Sequence, residues 1–471
     1  MTLQAADEVA PAEDAGTPPA PGPMARQMLE APPFGLLLRL ASPNALAFLV
    51  QASVSMAEVW FVSRLGMAPL AAIALMFPAL MLMQMLSNGA LGGAVSSAMA
   101  RTLGAGDRRR AEAILWHALA IALVAGVGFQ LLFLAAGDWM LALSGASDAV
   151  IGEAKAYGTV LFAGAVPIWT MALLGATFRG SGNMKLPALL MIIGALVQVP
   201  LAGTLILGAF GLPALGLRGA AYAVIAVSVL NTLIMLGLLL RAEAPLRLRR
   251  SAFRLRASLF ALIFRVGALA ALSPVFVVLT VSLLNVLVSG FGVTALAGYG
   301  IVARLEFLLV PLIFGLGAAM TAMVGTNVGA GRMDRAERIG WIGGWSAAAL
   351  TGAVGLLLAI APGLWTDLFT ADPEIREAGA RYLRIVGPFF AFQGLGLALY
   401  FASQGAGTVL WPVIATFLRF AICVGGAWIG VRTLDQGIDF VYAAIAGGML
   451  VYGVLTAASI ALGAWRKVAH A

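Results

Sequence analysis

Two carboxylates, Glu58 and Glu306, sit deep in apolar stretches of a 471-residue chain that has only 21 acidic side chains. An ionisable group within hydrocarbon is costly, so such a residue marks an ion or substrate path. Gln51, Ser55 and Glu58 follow one another at spacings of four and three, which places them on one helix face. That face belongs toward other helices rather than lipid. Removal from water favours the neutral form of a carboxyl, so a group of this kind can accept a proton on one side of a barrier and release it on the other. Glu58 is the expected ion-coupling residue, with Gln51 and Ser55 beside it. The competing reading is a carboxyl that snorkels to the interface, since Gly66 is eight residues on. Glu306 follows Arg304 by two residues, so the pair points apart on a helix and each member needs another partner. An ion pair with Arg419 or Arg265 and a role in ion or substrate binding are both open for Glu306.

Other groups suit an organic ligand. Ser282, Asn285 and Ser289 repeat the polar spacing of the first set. Gln84 and Asn88 share a face with Met81 and Met85, and Phe389, Phe392 and Gln393 share one with Tyr400. Aromatic faces and thioethers accept varied apolar cations. Helix packing by small polar residues and lipid-facing filler are the alternatives. The expected substrate-binding set is Gln84, Asn88, Ser282, Asn285, Arg304, Phe389, Phe392 and Gln393. Two histidines, one cysteine (Cys423) and no Asp-rich motif argue against an enzyme, a metal site or a cofactor. His117 reads as interfacial rather than as a proton relay.

These residues lie on elements that require lipid. Hydrophobic residues make up 61% of the chain and charged ones 11%, with a mean hydropathy of +0.98. A span needs about 20 apolar residues, and about twelve such runs fill residues 36–464. Residues 1–35 read as a disordered tail without a signal peptide, residues 242–258 as a basic cytoplasmic linker and 465–471 as a second tail. Eighteen of the 29 Lys and Arg residues, Arg101, Arg179 and the linker arginines among them, fall on one side and seven on the other. The positive-inside rule then makes both termini cytoplasmic. The net charge of +8 is a topology signal rather than a nucleic-acid surface.

The chain also repeats itself. Gly104-Ala105-Gly106 returns as Gly329-Ala330-Gly331, Arg110-Ala111-Glu112 as Arg335-Ala336-Glu337, Tyr157 as Tyr382, Gly180 and Gly182 as Gly405 and Gly407, and Pro187 as Pro412, always 225 residues on. The expected fold is all-α: twelve transmembrane helices in two six-helix bundles, an N-lobe (36–241) and a C-lobe (259–464), related by a pseudo-twofold axis along the membrane normal. Such a chain reads as a secondary transporter. The Gly-Ala-Gly loops read as helix caps with positive φ.

The segment Glu58-Val59-Trp60-Phe61-Val62-Ser63-Arg64-Leu65-Gly66, about fifteen residues after Pro43, resembles the end of the first helix in the multidrug and toxic compound extrusion (MATE) family. Val324 to Gly331 with Arg335-Ala336, and Arg101 to Glu112, resemble that family's loops after its eighth and second helices. The resemblance covers residues 36–464. It implies an antiporter that exports cationic or amphipathic drugs through a central cavity against inward protons or sodium ions. Glu58 stands where the family commonly has Asp. The stretch Leu196 to Leu201 lacks the acid that sodium-binding members carry in the fifth helix, so protons are favoured over sodium. The expected protein is a monomer in the plasma membrane, the inner membrane if bacterial, that binds no nucleic acid. A flippase for lipid-linked oligosaccharides of the same superfamily is the alternative, kept open by Arg304, Arg419 and Arg265.

Overall fold

The computed structural model describes residues 22–209, 211–241 and 246–469, and among them there are helices and no strands. A short helix α1 (Pro23–Glu30) precedes the spans. These are α2 (Pro33–Ser63), α3 (Met67–Gly104), α4 (Arg108–Ala142), α5 (Asp148–Ala163 and Ala165–Gly180, bent by 52°), α6 (Lys185–Leu207) and α7 (Leu217–Leu240), then α8 (Ala257–Ser289), α9 (Val293–Gly329), α10 (Met333–Ile360), α11 (Pro373–Ala406), α12 (Leu410–Arg432) and α13 (Ile438–Ala461). With bent α5 counted as one span there are twelve among the described residues. A last short helix, α14, runs Ala464–Ala469.

Two expected tails contain structure. Residues 1–21 lie outside the described residues, but α1 occupies part of the stretch read as disordered to residue 35, and α2 begins at Pro33. Met28 and Leu29 of α1 are buried, and these apolar residues were too few to show as a run among Ala, Pro and acidic neighbours. The 465–471 tail includes most of α14, whose Trp465 is buried and donates to Ser403 Oγ at 3.2 Å. Of the 242–258 linker, residues 242–245 lie outside the described residues and α8 starts at Ala257.

The repeat is visible residue by residue. Gly106 and Gly331 have φ of 80° and 72°, and Gly182 and Gly407 have φ of 85° and 84°, so these four end helices in a conformation that Cβ disfavours. Gly104 and Gly329 do something else: they bring the two halves together. A Cβ on Gly104 would fall 2.9 Å from Thr326 Cα, and one on Gly329 would fall 2.8 Å from Arg101 Cα. The end of α3 and the end of α9 therefore touch backbone to backbone. Ser97 Oγ donates to the Gln404 carbonyl at the same end, and Gln404 Nε2 donates to Gly89 O at 2.9 Å.

The halves also exchange their leading segments. The first part of α2 packs on α9, where Gly315 lies against Ala45, and the first part of α8 packs on α3, where Gly267 lies against Leu91. Ahead of α2, the last carbonyls of α1 and the residue after it are taken up by the other half. Asn327 Nδ2 donates to Met28 O at 3.0 Å, Arg332 to Leu29 O at 2.9 Å and Arg335 to Ala31 O. Ahead of α8, the linker docks on α4: Trp116 Nε1 donates to Arg249 O at 3.0 Å, and Arg256 N donates to His117 Nε2 at 3.0 Å. His117 is buried and holds the linker.

Candidate functional site

Glu58 lies on α2, five residues before the helix ends at Ser63, on the face turned to α6. It is 9% exposed, and Gln198 Nε2 donates to its Oε1 at 2.8 Å. No cation lies within ion-pairing distance of it among the described residues. Gln51 is half-buried and Ser55 exposed, and neither is hydrogen-bonded to Glu58. The partner is thus the amide of Gln198. In the sequence it was visible only as a residue in an α6 stretch lacking acid, because the contact joins positions 140 residues apart.

The second carboxylate has a different setting. Tyr382, the repeat partner of Tyr157, donates to Glu306 Oε1 at 2.8 Å, so Glu306 joins α9 to α11 through a phenol, and among the described residues no arginine reaches ion-pairing distance of it. Arg304 is exposed and stands 5.4 Å over the Phe369 ring. Arg419 stands 5.8 Å over the Tyr452 ring. Arg265 is exposed.

The remaining ligand candidates divide into groups. Asn88 Nδ2 donates to Gln84 Oε1 at 3.0 Å, so those two act as a unit on α3. Phe389 and Phe392 have ring centroids 6.3 Å apart, and Gln393 Oε1 is buried without a partner. On α8, Asn285 is exposed and Ser282 half-buried, and Ser289 turns back to Val286 O. Asn88, but neither the α8 nor the α11 candidates, lines a recess between the halves at the inner end of the contact just described. Phe48, Ser96, Arg179, Phe314 and Phe401 line it as well. Three of its walls are rings from three helices, with Phe314 at 6.0 Å from Phe48 and 4.9 Å from Phe401. By sequence Arg179 counts among the topology charges. Its place at the end of α5 gave that appearance, and only the direction of its side chain separates the two roles.

A duplicated helical bundle with a buried carboxylate, Glu58, in one half and a half-buried one, Glu306, in the other is matched by the MatE family profile, once over residues 43–204 and again over 270–429. The chain belongs to the MatE family. The two MatE matches fall on α2–α6 and α8–α12, the halves that the internal repeat defines. Among its relatives, a probable multidrug resistance protein NorM of Thermotoga maritima is 26% identical over 413 residues, 84% of this chain and 88% of that one. An FAD transporter of Shewanella oneidensis is 26% identical over 380 residues, 80% and 82% of the two chains. A solved structure of a MOP superfamily transporter from Pyrococcus furiosus, described as having a binding pocket of reverse polarity, superposes with a TM-score of 0.86 at 26% identity, covering 93% of this chain and 98% of that one. This MatE chain is a multi-pass membrane transporter of the multidrug efflux type and not an enzyme.

Proposed function

We propose that the protein is a proton-coupled antiporter that exports cationic or amphipathic organic compounds by alternating access between an N-lobe (36–241) and a C-lobe (259–464), with Glu58 as the coupling group. The observation that carries this reading is the Glu58–Gln198 pair: a buried carboxylate held by one neutral amide, between two helices of one lobe. A carboxyl with no cation beside it can gain or lose a proton without breaking an ion pair. A change of protonation there alters how α2 is held to α6, and α2 also packs along α9 of the other lobe. That supplies a physical link between proton and lobe position. A sodium ion would need several hard oxygen ligands, and a single carboxylate with one amide is a sparse set. The flippase alternative is weakened by the scatter of Arg304, Arg419 and Arg265 over separate surroundings rather than around one cavity.

With both termini cytoplasmic, the end where the Gly-Ala-Gly loops meet is the cytoplasmic end, and the conformation is closed to the cytoplasm. The protein works as a monomer in the plasma membrane, the inner membrane of a bacterium. Ethidium efflux from proteoliposomes under an imposed proton or sodium gradient tests the reading. Proton-driven efflux by the native chain, lost in Glu58→Gln, is the expected result. Sodium-driven efflux, or a Glu58→Gln variant that pumps normally, refutes the role of Glu58.

A further inference from the structure

Arg179 occupies the last turn of α5 yet is only 6% exposed. An arginine at a helix end near the interface ordinarily reaches outward to water. This one runs back along its own helix, and a Cβ on Gly175 would come within 3.2 Å of its Nη1. The guanidinium thus lies against a glycine that leaves it room, lining the recess. No hydrogen bond or ion pair joins it to any described residue. Across the recess, Ser96 Oγ is also buried without a hydrogen-bond partner. By contrast, Thr321 is satisfied by Phe401 O at 2.9 Å and Asn88 by Gln84.

No carboxylate lines this space. Glu58 is held at Gln198, and Glu112 faces Arg108 and Arg249 at the loop end. A buried guanidinium with no anion beside it is among the least favourable arrangements a protein can hold. Here it coincides with a second unsatisfied donor and three phenyl rings around one opening between the lobes. Arg presents planar paired donors that match a carboxylate or a phosphate, and the rings suit an aromatic body attached to it.

With the lobes together the recess holds only about 20 Å³, enough for a water, and we propose that as the lobes part it widens into a subsite for the anionic end of an aromatic substrate, a carboxylate or phosphate received by Arg179 and Ser96 with its ring system against Phe48, Phe314 and Phe401. The subsite deepens the transporter reading by naming a substrate class: aromatic amphiphiles that carry an anionic group, alone or together with a cation.

The test is fluorescence polarisation of carboxyfluorescein with the purified full-length protein, with ethidium as the cationic control. Arg179→Gln is expected to weaken carboxyfluorescein binding by about tenfold to a hundredfold, the range for losing a charge-assisted hydrogen bond. Arg179→Lys recovers part of that affinity, Ser96→Ala loses less than Arg179→Gln, and ethidium binding is unchanged in all three. Competition by benzoate and by phenyl phosphate tells a carboxylate site from a phosphate site. The proposal is overturned if the native protein does not bind carboxyfluorescein, if Arg179→Gln and Ser96→Ala bind it normally, or if both probes are lost together. Should Arg179→Gln fail to fold, the Lys and Ser96→Ala variants still decide. Because the readout is binding, Arg179-dependent affinity without ethidium efflux would sink the antiporter reading and keep the subsite. Efflux with Arg179-independent binding would do the reverse.

Discussion

Adding one methyl group at either Gly104 or Gly329 should push the protein out of its closed conformation. A Cβ at Gly104 falls 2.9 Å from Thr326 Cα and one at Gly329 falls 2.8 Å from Arg101 Cα, where ordinary contact is about 3.5–4.0 Å. The obstacle in each case is main chain, with the carbonyl oxygen of Thr326 or Arg101 closer still than its Cα, so no side chain can swing aside and the helix ends must part by more than an ångström. Overpacking of this kind costs about 1–3 kcal/mol. Alanine is also a better helix former than glycine by about 1 kcal/mol, but both residues are helical whichever way the lobes are disposed, so that gain cancels between conformations. The clash acts only on the closed one and should shift the equilibrium by roughly 5- to 150-fold. The assay is electron-electron distance measurement in a Cys423→Ala background with spin labels at Arg109 and Arg338, which are exposed residues on opposite lobes. A second, longer distance population should grow in Gly104→Ala and in Gly329→Ala, and each should slow efflux. An unchanged distance distribution in both variants would show that the glycines are not what lets the lobes meet.

Two further outcomes follow from the partners of Glu58 and Glu306. Gln198→Leu leaves Glu58 without its one amide partner, and efflux should fall at least several-fold while Glu58 itself is intact; normal efflux in that variant would separate Gln198 from coupling. Tyr382→Phe removes the hydrogen bond to Glu306, and a detergent melting curve should reveal a loss of stability of about 1–2 kcal/mol, whereas an unchanged melting temperature would mean that Glu306 finds another donor.

The architecture was legible because lipid leaves few alternatives. Helices must satisfy their own backbone, so apolar runs marked the spans, and the 225-residue offset announced the two halves. The Gly-Ala-Gly loops were half read: Gly106 and Gly331 are the positive-φ caps the sequence implied, while Gly104 and Gly329 are contact points that no local pattern distinguishes from them. Glu58 was found because an acid in an apolar helix stands out. Its partner Gln198 was not, since an amide carries no such signal. Arg179 was hidden by its position, because charge counting treats every arginine beside a loop alike, and the direction of one side chain is a tertiary fact. Helix α1 escaped because its apolar residues gain their burial from Gly182, Thr326 and Asn327, positions far away in the chain.

The exchange of leading segments has a mechanical consequence. Helix α1 is continuous with the first lobe yet grips the second through Asn327, Arg332 and Arg335, and the linker is continuous with the second yet grips the first through Trp116 and His117. The two straps carry load in parallel. Pulling that end apart strains both at once, and neither can be released first to ease the other. Such a clasp opens as a single event with a threshold, so the lobes should spend their time fully shut or fully sprung at this end, with few stops between.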